Sequence, residues 1–130
     1  MIRRTGGPPR GPGDTDEGTT MEALSLTRLA DEQLAAAREA DSGRSARSLH
    51  HGRDRRLRQT LLALRGGRSL DEHDSPGEAT LQVLAGRVRL VAGDESWEGD
   101  AGDLVVIPPL RHALHAVTDA AVLLTVTPRP

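Results

Sequence analysis

The chain of 130 residues is expected to form one domain, and it is long enough to bury one hydrophobic core. It contains neither cysteine nor lysine, which excludes disulfides, thiolate nucleophiles, sulfur-ligated metals and a Schiff-base lysine. The net charge of −2 and a single aromatic residue, Trp97, argue against a nucleic-acid partner, because single strands are bound by basic and aromatic surfaces. No apolar run approaches the length of a membrane span, so no membrane partner is expected either.

Residues 1–20 consist mainly of glycine, proline, threonine and charged residues, with almost nothing to bury. Apolar burial would not compensate the entropy lost in ordering such a segment, so we predict a disordered tail. The segment lacks the apolar region of a secretory signal, which favours a cytoplasmic protein.

Residues 21–42 are predicted to contain one amphipathic helix of about four turns. The apolar positions that share a helical face are Leu26, Leu29, Ala30, Leu34 and Ala37. Ser25 or Thr27 can cap the start of the helix, and Gly43 follows its end. The apolar stripe needs a partner surface, which is either the rest of the chain or a second copy across a dimer interface.

Residues 43–130 change to short apolar segments separated by glycine, proline and aspartate. Strands are predicted at residues 46–51, 56–64, 78–84, 88–92, 95–99, 103–107, 112–117 and 121–127. No helix-length pattern interrupts them, which is typical of an all-β sandwich or barrel. The number and length of these strands fit a jelly roll.

An arginine-rich stretch, residues 53–58, follows the first predicted strand and runs into the second. A nucleic-acid patch and a solvated hairpin end are the two interpretations, and the acidic net charge favours the second. His50 and His51 lie beside this stretch, and adjacent strand residues point to opposite faces, so a surface pair is favoured over a metal site.

Two glycine-histidine-proline motifs follow, at residues 67–86 and 102–112. In the first motif the defining positions are Gly67, His73, Val83, Leu84 and Gly86. In the second they are Gly102, Pro108 and His112. Together the two motifs resemble those of the cupin superfamily, over roughly residues 45–128.

The resemblance implies a cupin barrel, a double-stranded β-helix or jelly roll, for residues 43–130, with one N-terminal amphipathic helix before it. The chain is similar to small single-domain cupins with a conserved barrel, the cupin-2 type. These proteins resemble one another in pairing their barrels side by side. The resemblance therefore implies a homodimer and a small-molecule ligand inside the barrel.

In metal-binding cupins the first motif supplies two histidines and a glutamate, and the second motif supplies a histidine. Here Ser75 and Ala79 stand where the second histidine and the glutamate would be. The resemblance thus implies a degenerate metal site built on His73 and His112. A variant subgroup of small cupins, mostly of unassigned function, is more similar at the following positions: His73, Ser75, Pro76, Glu78, Gln82 and Gly86.

A divalent transition metal such as Fe, Mn, Ni or Zn needs at least three nitrogen or oxygen ligands, so Glu78 or Gln82 would have to join the histidines. Strand alternation places both on the face opposite Ala79. If Ala79 faces the barrel interior, both point to solvent, unless a bulge after Gly77 reverses the strand. The sequence identifies no cofactor with certainty, and it leaves open whether a divalent transition metal is bound.

His115 competes with His112 for the cavity, because in an extended strand the two face opposite sides. The family spacing favours His112, so we predict that the side chains of His73 and His112 approach within about 5 Å. Trp97 is interpreted as a packing or strand-end surface residue rather than a wall that stacks on a ligand.

The sequence leaves open whether the protein is an enzyme, and three hypotheses follow. The first is a protein of unassigned activity that binds a small molecule in the barrel. The second is a metal-dependent enzyme, of dioxygenase, isomerase or decarboxylase type, that uses His73 and His112. The third is an effector-sensing domain that acts with a regulatory partner, because a single helix cannot form a DNA-binding helix-turn-helix.

Overall fold

The computed structural model describes residues 21–129, in which one helix precedes nine strands. The helix is α1 (Leu26–Glu39), and the strands are numbered in chain order. One sheet has five strands in the order β1 (Arg44–His50), β2 (Arg58–Leu64), β9 (Ala120–Pro128), β4 (Gly77–Ala85) and β7 (Leu104–Ile107). The other has four, in the order β3 (Ser69–His73), β8 (His112–Ala116), β5 (Arg87–Ala92) and β6 (Glu95–Asp100). The tail predicted for residues 1–20 lies outside the described residues.

The core between the sheets consists of aliphatic side chains that alternate along each strand. On β4, Ala79, Leu81 and Val83 are buried, and the residues between them are more exposed. This period-two pattern fixes which face of β4 is the inner one. Val83 and Val122 are fully buried, and burial of each side chain contributes about 1.5–3 kcal/mol. The all-β architecture with one N-terminal helix is confirmed.

Helix α1 packs on the outer face of the five-stranded sheet. Ser25 caps the helix, since its hydroxyl accepts a hydrogen bond of 3.2 Å from the Arg28 amide. The cluster buried beneath the helix contains Leu29, Ala30, Leu34 and Ala37 of the helix and Leu61, Ala63 and Ala121 of the sheet. The sequence left two partner surfaces open for the helix, the rest of the chain or a second copy. The helix packs on the chain's own sheet. In the described range α1 is the one helix, and it is neither long nor apolar enough to cross a bilayer.

Strand β3 is the strand that the sequence pattern does not reveal. Leu70 is its one apolar residue, and the last three residues, Asp71 to His73, are exposed. The strand lies at the edge of the four-stranded sheet, and its pairing with β8 shifts register between Leu70 and His73. An edge strand tolerates polar residues because one of its sides faces water. Its pairing brings the first motif of the sequence against the second.

Asp119, in the turn between β8 and β9, ties the helix to the barrel. Its carboxylate accepts hydrogen bonds of 2.7 Å from the Gly66 amide and 2.7 Å from Arg38 Nε of α1. The hydrogen bond from Gly66, followed by the one from Arg38, lowers the pKa of Asp119 below its ordinary value of 3.8. Asp119 therefore stabilises the fold in its charged form.

Candidate functional site at the barrel mouth

His73, at the end of β3, lies directly opposite His112, at the start of β8. Their ring centroids are 4.5 Å apart and the ring planes meet at 66°, an edge-to-face arrangement. His112 is only 4% exposed, whereas His73 is exposed, so the pair joins a buried ring to one that contacts solvent. The predicted approach of the two side chains is confirmed.

Both imidazole rings are held through Nδ1. His73 Nδ1 lies 3.0 Å from the carbonyl oxygen of Asp71, and His112 Nδ1 lies 2.9 Å from that of Leu110. A carbonyl oxygen only accepts, so Nδ1 carries the hydrogen in each ring. In the neutral form, each Nε2 then keeps a lone pair that can accept a hydrogen bond or bind a metal ion. The backbone thus selects the same tautomer at both positions.

Arg111, the residue before β8, reaches both sequence neighbours of His73. Its Nε lies 3.0 Å from Glu72, and its Nη1 lies 2.9 Å from Asp74. The hydrogen bond to Glu72 and then the one to Asp74 raise the pKa of the Arg111 guanidinium above its ordinary value. Exposed ion pairs add little stability, so the main effect of this fork is to fix the end of β3 beside the two histidines. Sequence reasoning misses these three residues, because only the register of β3 on β8 reveals that they meet.

The positions of the two absent family ligands are both buried. Ser75 is 6% exposed, and its hydroxyl donates a hydrogen bond of 3.0 Å to the Gly77 carbonyl. Ala79 is 3% exposed and belongs to the core between the sheets. The inner face of β4 therefore carries a methyl group at the position that the resemblance assigns to the glutamate ligand.

Glu78 and Gln82, the two candidates for a third ligand, lie on the other face of β4. Glu78 is exposed, and Gln82 pairs with Leu104 and Leu123 across the neighbouring strands. The sequence predicts that both side chains point to solvent if Ala79 faces the barrel interior. Ala79 does face the interior, because it is part of the core. The structure does not bring them to His73 and His112.

The donor set of the described residues does not complete a tightly bound metal centre. Within residues 21–129, no three histidine, aspartate or glutamate side chains are grouped so that they could hold a metal ion. His73 and His112 supply two nitrogen donors, whereas zinc and similar ions take at least three protein ligands. The chemistry available at the barrel mouth is that of two adjacent imidazoles.

His115 lies on the outer face of β8, as the spacing of the second motif predicts. Its Nδ1 is 2.7 Å from the hydroxyl of Ser69, its cross-strand partner. His112 instead shares the buried face with Leu114 and Ala116. Trp97 is partly buried and packs against the core, so its interpretation as a packing residue agrees with the structure.

The chain matches a known protein family over most of the barrel. The family model described as a cupin domain (Cupin_2) matches residues 60–128, from β2 to the end of β9. The chain belongs to the cupin superfamily and is a small cupin of the cupin-2 type. A search of curated proteins finds no match.

Solved structures share this architecture. A conserved protein of unknown function from Streptococcus pyogenes is 27% identical, with a TM-score of 0.63, and the match covers 70% of this chain and 79% of that chain. A cupin superfamily protein from Desulfitobacterium hafniense is 18% identical, with a TM-score of 0.67 and coverage of 85% and 94%. A salicylate 1,2-dioxygenase from Pseudaminobacter salicylatoxidans is 19% identical, with a TM-score of 0.64, and the match covers 77% of this chain and 33% of the dioxygenase. The last two similarities show the fold alone.

Proposed function

We propose that this cupin binds a small molecule at the mouth of its barrel through His73 and His112, and that it holds divalent metal ions only weakly. The observation that carries the proposal is the paired imidazoles, each held at Nδ1 and separated by 4.5 Å between ring centroids. Two adjacent Nε2 lone pairs suit a ligand that offers O–H or N–H donors. We also propose that the protein is located in the cytoplasm.

Weak metal binding is part of the proposal because Ser75 and Ala79 replace two ligands. The Ser75 hydroxyl already donates to Gly77, and the Ala79 side chain has no donor atom. Each missing ligand removes bond energy and pre-organisation from a metal centre.

The test is elemental analysis and native mass spectrometry of the full chain purified without a histidine tag. We expect less than one metal ion per chain. We also expect the native mass to exceed that of the chain by the mass of a bound small molecule, which is released on denaturation. His112→Ala should abolish retention of that mass, whereas His115→Ala, on the outer face of β8, should preserve it. Loss of the mass in both variants, or its retention in both, contradicts binding at the mouth.

A metal-dependent enzyme is the second candidate, and the common tautomer of the two histidines favours it, because both Nε2 atoms are available to a metal. Stoichiometric Fe, Mn, Ni or Zn that survives dialysis against a chelator would support this candidate over the first. In that case a further ligand must join the pair, and Glu78→Gln and Gln82→Ala test the two candidates from the sequence.

We also propose a homodimer, but through a different surface from the helix stripe. The stripe is covered by the chain's own sheet, whereas Leu104 and Val106 on the edge strand β7 are 62% and 69% exposed. Both side chains stand on the outer face of the five-stranded sheet, opposite the buried Ile107. An apolar pair on an edge strand is a surface that association removes from water.

A further inference from the structure

A groove of about 320 Å³ lies between the open edges of the two sheets. β1 is the outermost strand of the five-stranded sheet, and β3 is the outermost strand of the four-stranded sheet. Residues of β1 and β2 line one wall of the groove, and Leu70 of β3 lines the other. Leu70 pairs with Leu114, whereas His73 pairs with His112, so the groove lies nearer the start of β3 and the histidine pair lies at its end.

The floor of the groove is apolar. It is formed by three leucines, Leu62, Leu64 and Leu70. Leu64 is 3% exposed and belongs to the core, and the other two are partly buried at the margin of the core. An apolar ligand body in the groove would therefore extend the core and remove leucine surface from water.

Positive charge stands at one end of this floor. Arg44 lines the groove and is the cross-strand partner of Leu64, so its side chain projects from the same face as the floor. Arg68 packs over Gly43, the residue before Arg44, since a Cβ at Gly43 would lie 2.6 Å from Arg68 Cγ. Among residues 21–129 neither arginine has an ion-pair partner, and the described lining contains no carboxylate.

We propose that the β1–β3 groove binds a small monocarboxylate with an aliphatic body. The guanidinium of Arg44 presents a planar fork that matches the two oxygens of a carboxylate, and Arg68 adds charge beside it. The aliphatic body lies on the three leucines. A cation is repelled by the two arginines, and a short anion leaves the leucine floor in water. This site is separate from the one proposed for His73 and His112, and it does not depend on that site.

The test is an NMR titration of the full chain with hexanoate, using hexanol and acetate as matched probes. Hexanoate should shift the signals of Ala46, Leu62 and Leu70. Hexanol lacks the charge and acetate lacks the aliphatic body, so each should bind about tenfold more weakly. If the shifted signals instead cluster at His73 and His112, the groove is not the binding site for hexanoate. The proposal for the histidine site does not depend on this result.

A matched pair of variants isolates the role of Arg44. Arg44→Gln should weaken hexanoate binding about tenfold. Arg47→Gln should not, because Arg47 is also exposed on β1 but pairs with Leu61, on the opposite face of the sheet. Equal losses in both variants would mean non-specific charge attraction and would overturn the proposal. A change from dimer to monomer in Arg44→Gln alone would also overturn it, by showing that a second copy occupies the groove.

Discussion

His73 and His112 are cross-strand partners whose imidazole rings meet edge to face at 4.5 Å, although 38 residues separate the two histidines in the sequence. The contact depends on the pairing of a short polar edge strand, β3, with an inner strand, β8. The backbone carbonyls two residues before each histidine orient both rings. The site is therefore built by strand register, by these carbonyl contacts and by the ion pairs of Arg111 with Glu72 and Asp74.

Restoring the two absent ligands should create a metal centre. In Ser75→His with Ala79→Glu, the affinity for Ni²⁺ or Zn²⁺ should rise more than about 100-fold, because a direct ligand contributes more than an outer-shell partner. Since Ala79 is buried, the new carboxylate should lower the melting temperature without metal, and added metal should raise it. Calorimetric titration and thermal unfolding measure both effects.

The control places the carboxylate on the other face of the same strand. Ser75→His with Thr80→Glu carries the same new groups, but Thr80 alternates with the buried Ala79 and Leu81. Its metal affinity should stay well below that of the first double variant. Equal affinity in the two would mean that the mapping of the first motif onto β4 is wrong.

The sequence predicts much of this fold, because eight of the nine strands correspond to short segments that turn residues separate. It does not predict β3, because SLDEH contains one apolar residue and an edge strand needs no more. The partner of α1 also requires the structure, since an apolar stripe fits either a sheet or a second copy. At the site, the motifs indicate His73 and His112, but the Arg111 fork depends on register, which local patterns do not encode.

Asp119→Asn should destabilise the protein near neutral pH and have little effect in strong acid. The folded-state pKa of Asp119 lies below 3.8, so its charged form stabilises the fold above that pH. This stabilisation is lost as the pH falls through the lowered pKa, and there the variant and the native protein should converge. Urea unfolding measured between neutral pH and strong acid follows the difference.

Asp94→Asn provides the control for charge alone. Asp94 is exposed in the turn between β5 and β6, and its side chain is in none of the described hydrogen bonds or ion pairs. A similar pH-dependent loss in this variant would show that net charge, rather than the contacts with Gly66 and Arg38, explains the result.

The proposed homodimer predicts that Leu104→Asp with Val106→Asp produces a monomer. Both side chains are exposed on an edge strand, so the free energy of unfolding of each protomer should change by less than about 0.5 kcal/mol. Light scattering at micromolar concentration reports the mass. Val117→Asp, at a residue that is 49% exposed outside β7, should leave the dimer intact. If light scattering shows that the native protein is already a monomer at micromolar concentration, the proposed homodimer is wrong.

The turn between β4 and β5 depends on Gly86, the glycine that closes the first motif. Gly86 has φ +77°, a left-handed conformation that costs a residue with a side chain about 1–2 kcal/mol. An added Cβ would also collide with the Asp119 carbonyl oxygen and lie 2.9 Å from Ala120 Cα, so the backbone of β9 would have to move. Gly102 has φ +97°, but a Cβ there meets nothing within 4 Å.

Comparing Gly86→Ala with Gly102→Ala therefore separates backbone strain from collision. Gly102→Ala should lose only the strain, about 1–2 kcal/mol. Gly86→Ala should lose about 1–3 kcal/mol more, the usual cost of overpacking, because the added Cβ meets the backbone of Asp119 and Ala120. Trp97, the one aromatic residue of the chain, is partly buried, so its fluorescence in urea follows unfolding of both variants. If the two variants lose the same free energy, the close approach of β9 to Gly86 does not exist in solution, and the turn between β4 and β5 requires glycine only for its backbone conformation.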